Sequence, residues 1–90
     1  MKTSHMKARM SQRAITDEMV DLVLNEGELN HRGDRLSLNR KQLVRIKEDY
    51  EKLGKWNKRL MHIIERMMRR GGMTVVCCGS VGITTYFGVQ

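Results

Sequence analysis

The end of the chain constrains the fold most. Residues 71–90 carry no charged side chain and start with Gly71-Gly72 directly after Arg69-Arg70. Met73-Thr-Val-Val-Cys-Cys78 and Val81-Gly-Ile-Thr-Thr-Tyr-Phe87 are rich in β-branched and aromatic residues, which favour strands. Gly79-Ser80 between them fits a two-residue hairpin turn. Counting outward from that turn predicts Val76 opposite Ile83, Val75 opposite Thr84 and Met73 opposite Tyr86. A lone hairpin is marginal in water, so a third strand or a helix must cover it.

The residues before it supply both. Ser4 can cap a short helix over about 5–13. Thr16 can cap a second, with Asp17 and Glu18 in the first turn, where the dipole favours acids. Ile15 and Val20 can staple its entry. Met19, Val20, Val23 and Leu24 form its apolar face, and Gly27 stops it. Residues 30–34 read as a turn, and Arg35 to Leu38 as a short strand with Leu36 and Leu38 on one face. Asn39 can cap a third helix carrying Leu43, Ile46, Tyr50 and Leu53, with Gly54 at its end. A fourth, about 57–70, carries Leu60, Ile63, Ile64, Met67 and Met68; the alternative is one bent helix broken at Gly54. Arg69 and Arg70 close it, where the dipole accounts for bases. The expected fold is one α+β domain over residues 1–90: two N-terminal helices, a short strand, two more helices and a hairpin, with a sheet of about three strands.

A chain of 90 residues has a thin core. With 4% aromatic residues, aliphatic side chains and eight Met must fill it. Met adapts to gaps but specifies shape weakly, which leaves self-association open.

The net charge of +7 is uneven: +4 over residues 1–13, −5 over 14–34 and +8 over 35–70. Concentrated bases favour polyanions, because Lys and Arg release counterions from phosphates. The same distribution also serves solubility or an acidic partner protein. No apolar run approaches the length of a membrane span, and no secretory signal opens the chain. Adjacent Cys77 and Cys78 point to opposite faces of a strand and make a poor disulfide pair. Unpaired thiols suit a reducing compartment, so a cytoplasmic location is expected.

No zinc spacing, phosphate loop or dinucleotide fingerprint occurs, so no metal or cofactor is expected. Asp17 and Asp21, four apart, read as dipole partners. His5, Arg9 and Arg13 fall on one stripe of the first helix, beside the apolar stripe of Met6, Met10 and Ala14. A His can move protons near neutrality and arginines can hold a phosphate. These are the parts needed for RNA cleavage without a metal: an acceptor for the ribose 2′-OH proton, a donor for the leaving oxygen and cations around the phosphorus. The same spacing fits a solvated basic face. Thr84 and Tyr86 share one side of the last strand, with Thr85 on the other. Their hydroxyls could contact phosphate or ribose, although both are ordinary strand residues. His62 is expected at the core's edge, and His31 exposed in a turn.

Ser4-His5-Met-Lys-Ala-Arg9-Met10-Ser-Gln12-Arg13-Ala-Ile15-Thr16 resembles the opening of a bacterial family of small uncharacterised domains. These start with a His and an Arg-Met-x-x-Arg-x-Ile run, continue in a helix ending at a Gly, here Gly27, and finish in a hairpin. Gly72-Met-Thr-Val-Val76 and Gly82-Ile83-Thr84-Thr85-Tyr86 resemble that hairpin. The segment 40–70 matches least, and Phe87 stands where a base is expected. The family is similar to RelE-like and barnase-like RNase toxins, which place helices before a small antiparallel sheet. The resemblance implies a metal-independent endoribonuclease of toxin type, with His5, Arg9, Arg13, Thr84 and Tyr86 as site residues. It also implies an acidic antitoxin or immunity-type partner. The alternative is a non-catalytic module that binds RNA or an acidic protein, in which His5 is idle.

Overall fold

The computed structural model describes residues 2–54 and 57–89. It contains α1 (Ser4–Arg13), α2 (Asp17–Glu26), β1 (Glu28–Leu29), β2 (Arg35–Leu38), α3 (Arg40–Lys52), α4 (Lys58–Arg69), β3 (Met73–Cys78) and β4 (Val81–Phe87). The four strands form one antiparallel sheet in the order β1-β2-β3-β4. The α+β architecture and terminal hairpin are as the sequence predicts. The middle is two separate helices that pack on each other, tied by a Lys47–Glu65 ion pair at 3.8 Å.

Capping chemistry sets most helix limits. Thr3, not Ser4, caps α1: its hydroxyl accepts from the Met6 amide at 3.1 Å and donates to the Ile83 carbonyl at 3.1 Å. Thr16 caps α2 as expected, and Asn39 and Gln42 close a reciprocal capping box at α3. Asn57 caps α4 through the Leu60 amide. Gly27 ends α2 differently from a left-handed cap. Its φ is −70°, and a Cβ there would collide with the Val23 carbonyl oxygen, so what Gly supplies is close approach. Gly72 combines both demands, with φ +97° and a would-be Cβ driven into the Leu38 carbonyl oxygen.

The sheet departs from expectation in two places. β1 is a fourth strand of two residues, pairing Glu28 with Ser37 and Leu29 with Leu36. The hairpin turn lies at Gly79-Ser80 as predicted, and Cys78 pairs with Val81 and Cys77 with Gly82. The register then slips by one: Val76 pairs with Thr84, Val75 with Thr85, Thr74 with Tyr86 and Met73 with Phe87. Ile83 is the extra residue of a β-bulge, which a count from the turn does not register.

All sheet residues in the core lie on one side: Leu36, Leu38, Met73, Val75, Cys77 and Phe87. Against them pack Met6 and Met10 of α1, Met19, Val20, Leu22 and Val23 of α2, Leu43 of α3, and Met61, Ile63, Ile64 and Met67 of α4. Among the described residues six Met are buried, each contributing roughly 1.5–3 kcal/mol from apolar burial. Leu24 and Leu53 were expected on apolar faces but are exposed; Leu53 has left the helix as its C-cap. The opposite side of the sheet carries Arg35, Ser37, Thr74, Val76, Thr84 and Tyr86 and contributes nothing to the core cluster.

Candidate functional site

α1 is held against β4 at both of its ends. At the start, the Thr3 amide donates to the Gly82 carbonyl at 3.0 Å and the Thr3 hydroxyl to that of Ile83, at the bulge. At the end, Arg13 Nη1 donates to the Thr85 carbonyl at 2.7 Å. Met6 and Met10 sink into the core between these anchors. The stripe of His5, Arg9 and Arg13 flanks that buried face, as its i, i+4, i+8 spacing requires.

The structure therefore brings Arg13 onto β4 and links His5 to Arg9 on the helix. Arg9 Nε donates to His5 Nε2 at a long 3.5 Å, and Arg9 Nη1 to Gln12 Oε1 at 2.9 Å. Among the described residues no hydrogen bond joins His5 or Arg9 to Thr84 or Tyr86. His5 and Arg13 are exposed and Arg9 half-buried.

On β4 the neighbours divide by face. Thr85 lies on the core side, fully buried, its hydroxyl donating to the Thr74 carbonyl at 2.8 Å. Thr84 and Tyr86 share the side opposite the core cluster, as the alternation predicted. Thr84 is half-buried, while the Tyr86 hydroxyl is enclosed and has no hydrogen-bond partner among the described residues. A substrate reaching that hydroxyl requires the ring to move, so Thr84 is the readier contact.

Several other residues differ from expectation. Arg13, expected on a solvated basic stripe, binds a main-chain carbonyl, and Asp17, expected as a dipole partner, also pairs with Lys2 at 3.2 Å. His62 is exposed rather than at the core's edge, and His31 is exposed as predicted. Arg70 is explained by more than the helix dipole: its guanidinium lies 4.6 Å from the Phe87 ring centre, and that of Arg66 lies 5.9 Å away. Sequence reasoning missed Arg66, Phe87, Thr3 and Gln12 as parts of this region. Only the i, i+4 spacing of Arg66 and Arg70 hinted at a joint role.

Three side chains have shifted acidities. Glu18 is held below the ordinary carboxylate range by its hydrogen bond from Arg59. Burial, then nearby Glu26, pushes the Tyr50 hydroxyl up, and burial alone pushes the Cys77 thiol up. Both cysteines are free. Among the described residues no helix is long and apolar enough to cross a membrane.

Helices on one face of a four-stranded antiparallel sheet, with a basic helix clamped to the last strand, define the class of fold. Comparison with protein-family models, with curated proteins and with solved structures finds no match.

Proposed function

We propose that the chain is a metal-independent endoribonuclease of toxin type. The observation that carries this reading is the clamp of α1 on β4 through Arg13 and the Thr85 carbonyl. In this reading the clamp holds the stripe of His5, Arg9 and Arg13 along the strand that also carries Thr84. His5 takes the 2′-OH proton and the 2′-oxygen attacks the adjacent phosphorus. The bond from phosphorus to the 5′-oxygen breaks, leaving a 2′,3′-cyclic phosphate, and the proton held by His5 or one from water goes to the leaving 5′-oxygen. Arg9, and the Arg13 donors not spent on Thr85, offset the charge that grows on the phosphate oxygens. Thr84 contacts phosphate or ribose. An acidic antitoxin or immunity-type protein would cover the same basic stripe.

The second reading is binding of RNA or an acidic protein without cleavage. The enclosed Tyr86 hydroxyl favours it, because it removes one of the two sheet hydroxyls from ready contact. Induced expression separates the two readings. The nuclease reading expects growth arrest and loss of intact cellular RNA, both relieved by His5→Ala. Arrest that persists in His5→Ala, with the RNA intact, favours binding.

A further inference from the structure

The end of β4 carries a second group of cations that the proposed nuclease chemistry does not use. Arg66 and Arg70 stand four apart on α4, on neighbouring turns of one face. Both guanidinium groups lie over the ring of Phe87, Arg70 at 4.6 Å and Arg66 at 5.9 Å from its centre. Phe87 is two residues beyond Thr85 on the same side of the sheet, about 7 Å along the strand. Thr85 is where Arg13 is anchored. A shallow cleft at the start of α2 is lined by both Thr16 and Arg66, which again sets Arg66 close to the end of α1.

Arg13 is thus anchored two residues before the Phe87 ring that Arg66 and Arg70 share, and the ion pairs among the described residues involve none of the three. Glu18 also lines that cleft, but its carboxylate is taken by Arg59. Arg66 and Arg70 share one ring without an ion-pairing acid, and a polyanion offsets the like charge so brought together. Stacking occupies the flat face of a guanidinium and leaves its N–H edge to donate, the geometry that grips a phosphate with two parallel bonds.

We propose that Arg66 and Arg70, braced on Phe87, form with Arg13 a phosphate-binding platform for single-stranded RNA. This rests on the RNA reading above and extends it: the strand's backbone runs along β4 from the His5–Arg9 stripe past Arg13 to the end of α4. The platform positions the substrate and takes no part in proton transfer.

The test is binding of a fluorescent 2′-O-methylated uridine oligonucleotide, followed by anisotropy across a range of salt. This probe keeps the phosphates but has no 2′-hydroxyl to attack, so binding is read apart from cleavage. Arg66→Gln and Arg70→Gln should each weaken binding and make the slope of log affinity against log salt shallower by about 0.7 for each phosphate no longer neutralised. Arg70→Lys should keep the slope and lose affinity, because charge survives and the braced fork does not. Wild-type slopes in both Gln variants, with Arg9→Gln shallower, would overturn the platform and leave the RNA reading standing. No salt-dependent binding by the wild type, or binding of polyglutamate in place of RNA, overturns both. Arg66 is half-buried, so if Arg66→Gln fails to fold, exposed Arg70 decides the matter.

Discussion

The Arg13 guanidinium donates to the Thr85 carbonyl at 2.7 Å, across 72 positions of sequence. This bond joins the last turn of the first helix to the last strand. It also makes Arg13 a structural residue as well as a candidate phosphate ligand. Arg13→Gln should therefore cost about 1 kcal/mol, below the range for a buried charged donor because the side chain is exposed. In a domain this small that is a fall in Tm of about 4–8 °C. Arg9→Gln breaks only contacts to His5 and Gln12 on its own helix and should stay within about 0.5 kcal/mol. Thermal unfolding of the two variants checks the contrast; equal effects would remove the anchor from the account.

The paired glycines after α4 should respond unequally to Ala. Gly71 and Gly72 both have positive φ, +81° and +97°. A Cβ at Gly71 meets nothing, so Gly71→Ala should cost about 1 kcal/mol, from the left-handed backbone alone. At Gly72 the Cβ is driven into the Leu38 carbonyl and against Asn39, where β2 meets α3. Gly72→Ala should cost more than about 2 kcal/mol or prevent folding. Urea titrations of the two variants make the comparison.

How much of the molecule is legible in its sequence divides along local and non-local lines. Thr16, Asn39 and the Gly79-Ser80 turn act on residues a few positions away, so composition and spacing reveal them. At the Ile83 bulge the main-chain carbonyl accepts from the Thr3 hydroxyl at the α1 entry, a contact 80 residues apart. No local pattern carries it, and the predicted pairing slips by one as a result. β1 has two residues and too short a run to show any period. The His5–Arg9–Arg13 stripe is visible as a spacing. Its seat on Thr85, and the Arg66–Arg70–Phe87 stack, come only from the fold. That stack also gives Phe87 a role where the resemblance expects a base.

The Arg59–Glu18 pair should make stability depend on pH in the acid range. Glu18 is held below its ordinary value of 4.5 in the folded state, chiefly by the Arg59 hydrogen bond. A carboxylate depressed on folding stabilises above its unfolded value, and that contribution is lost as pH falls through the folded one. Wild type should therefore exceed Glu18→Gln in stability near neutrality, and the two should converge below pH 4.5. Exposure keeps the difference small and makes it shrink with salt. An equal gap between the two proteins at neutral and acid pH would contradict it.

The two adjacent thiols should differ in reactivity. Cys77 is half-buried on the core side with its thiol pushed up by burial, whereas Cys78 is exposed. Thiolate is the reactive form, so iodoacetamide should modify Cys78 first, and Cys77 should need more alkaline pH or partial unfolding. Peptide mapping after limited alkylation reads the order directly, and preferential labelling of Cys77 in the folded protein would contradict the assigned strand faces.

The central claim is tested most directly by incubating the purified chain with single-stranded RNA in EDTA. The account predicts cleavage that continues in the chelator and leaves ends with 2′,3′-cyclic phosphate, from attack by the adjacent 2′-oxygen. His5→Ala should lower the rate by about 10²–10⁴-fold, the usual worth of general acid–base catalysis, while still binding the methylated oligonucleotide. Intact RNA after incubation with well-folded protein, or cleavage undiminished in His5→Ala, would contradict it.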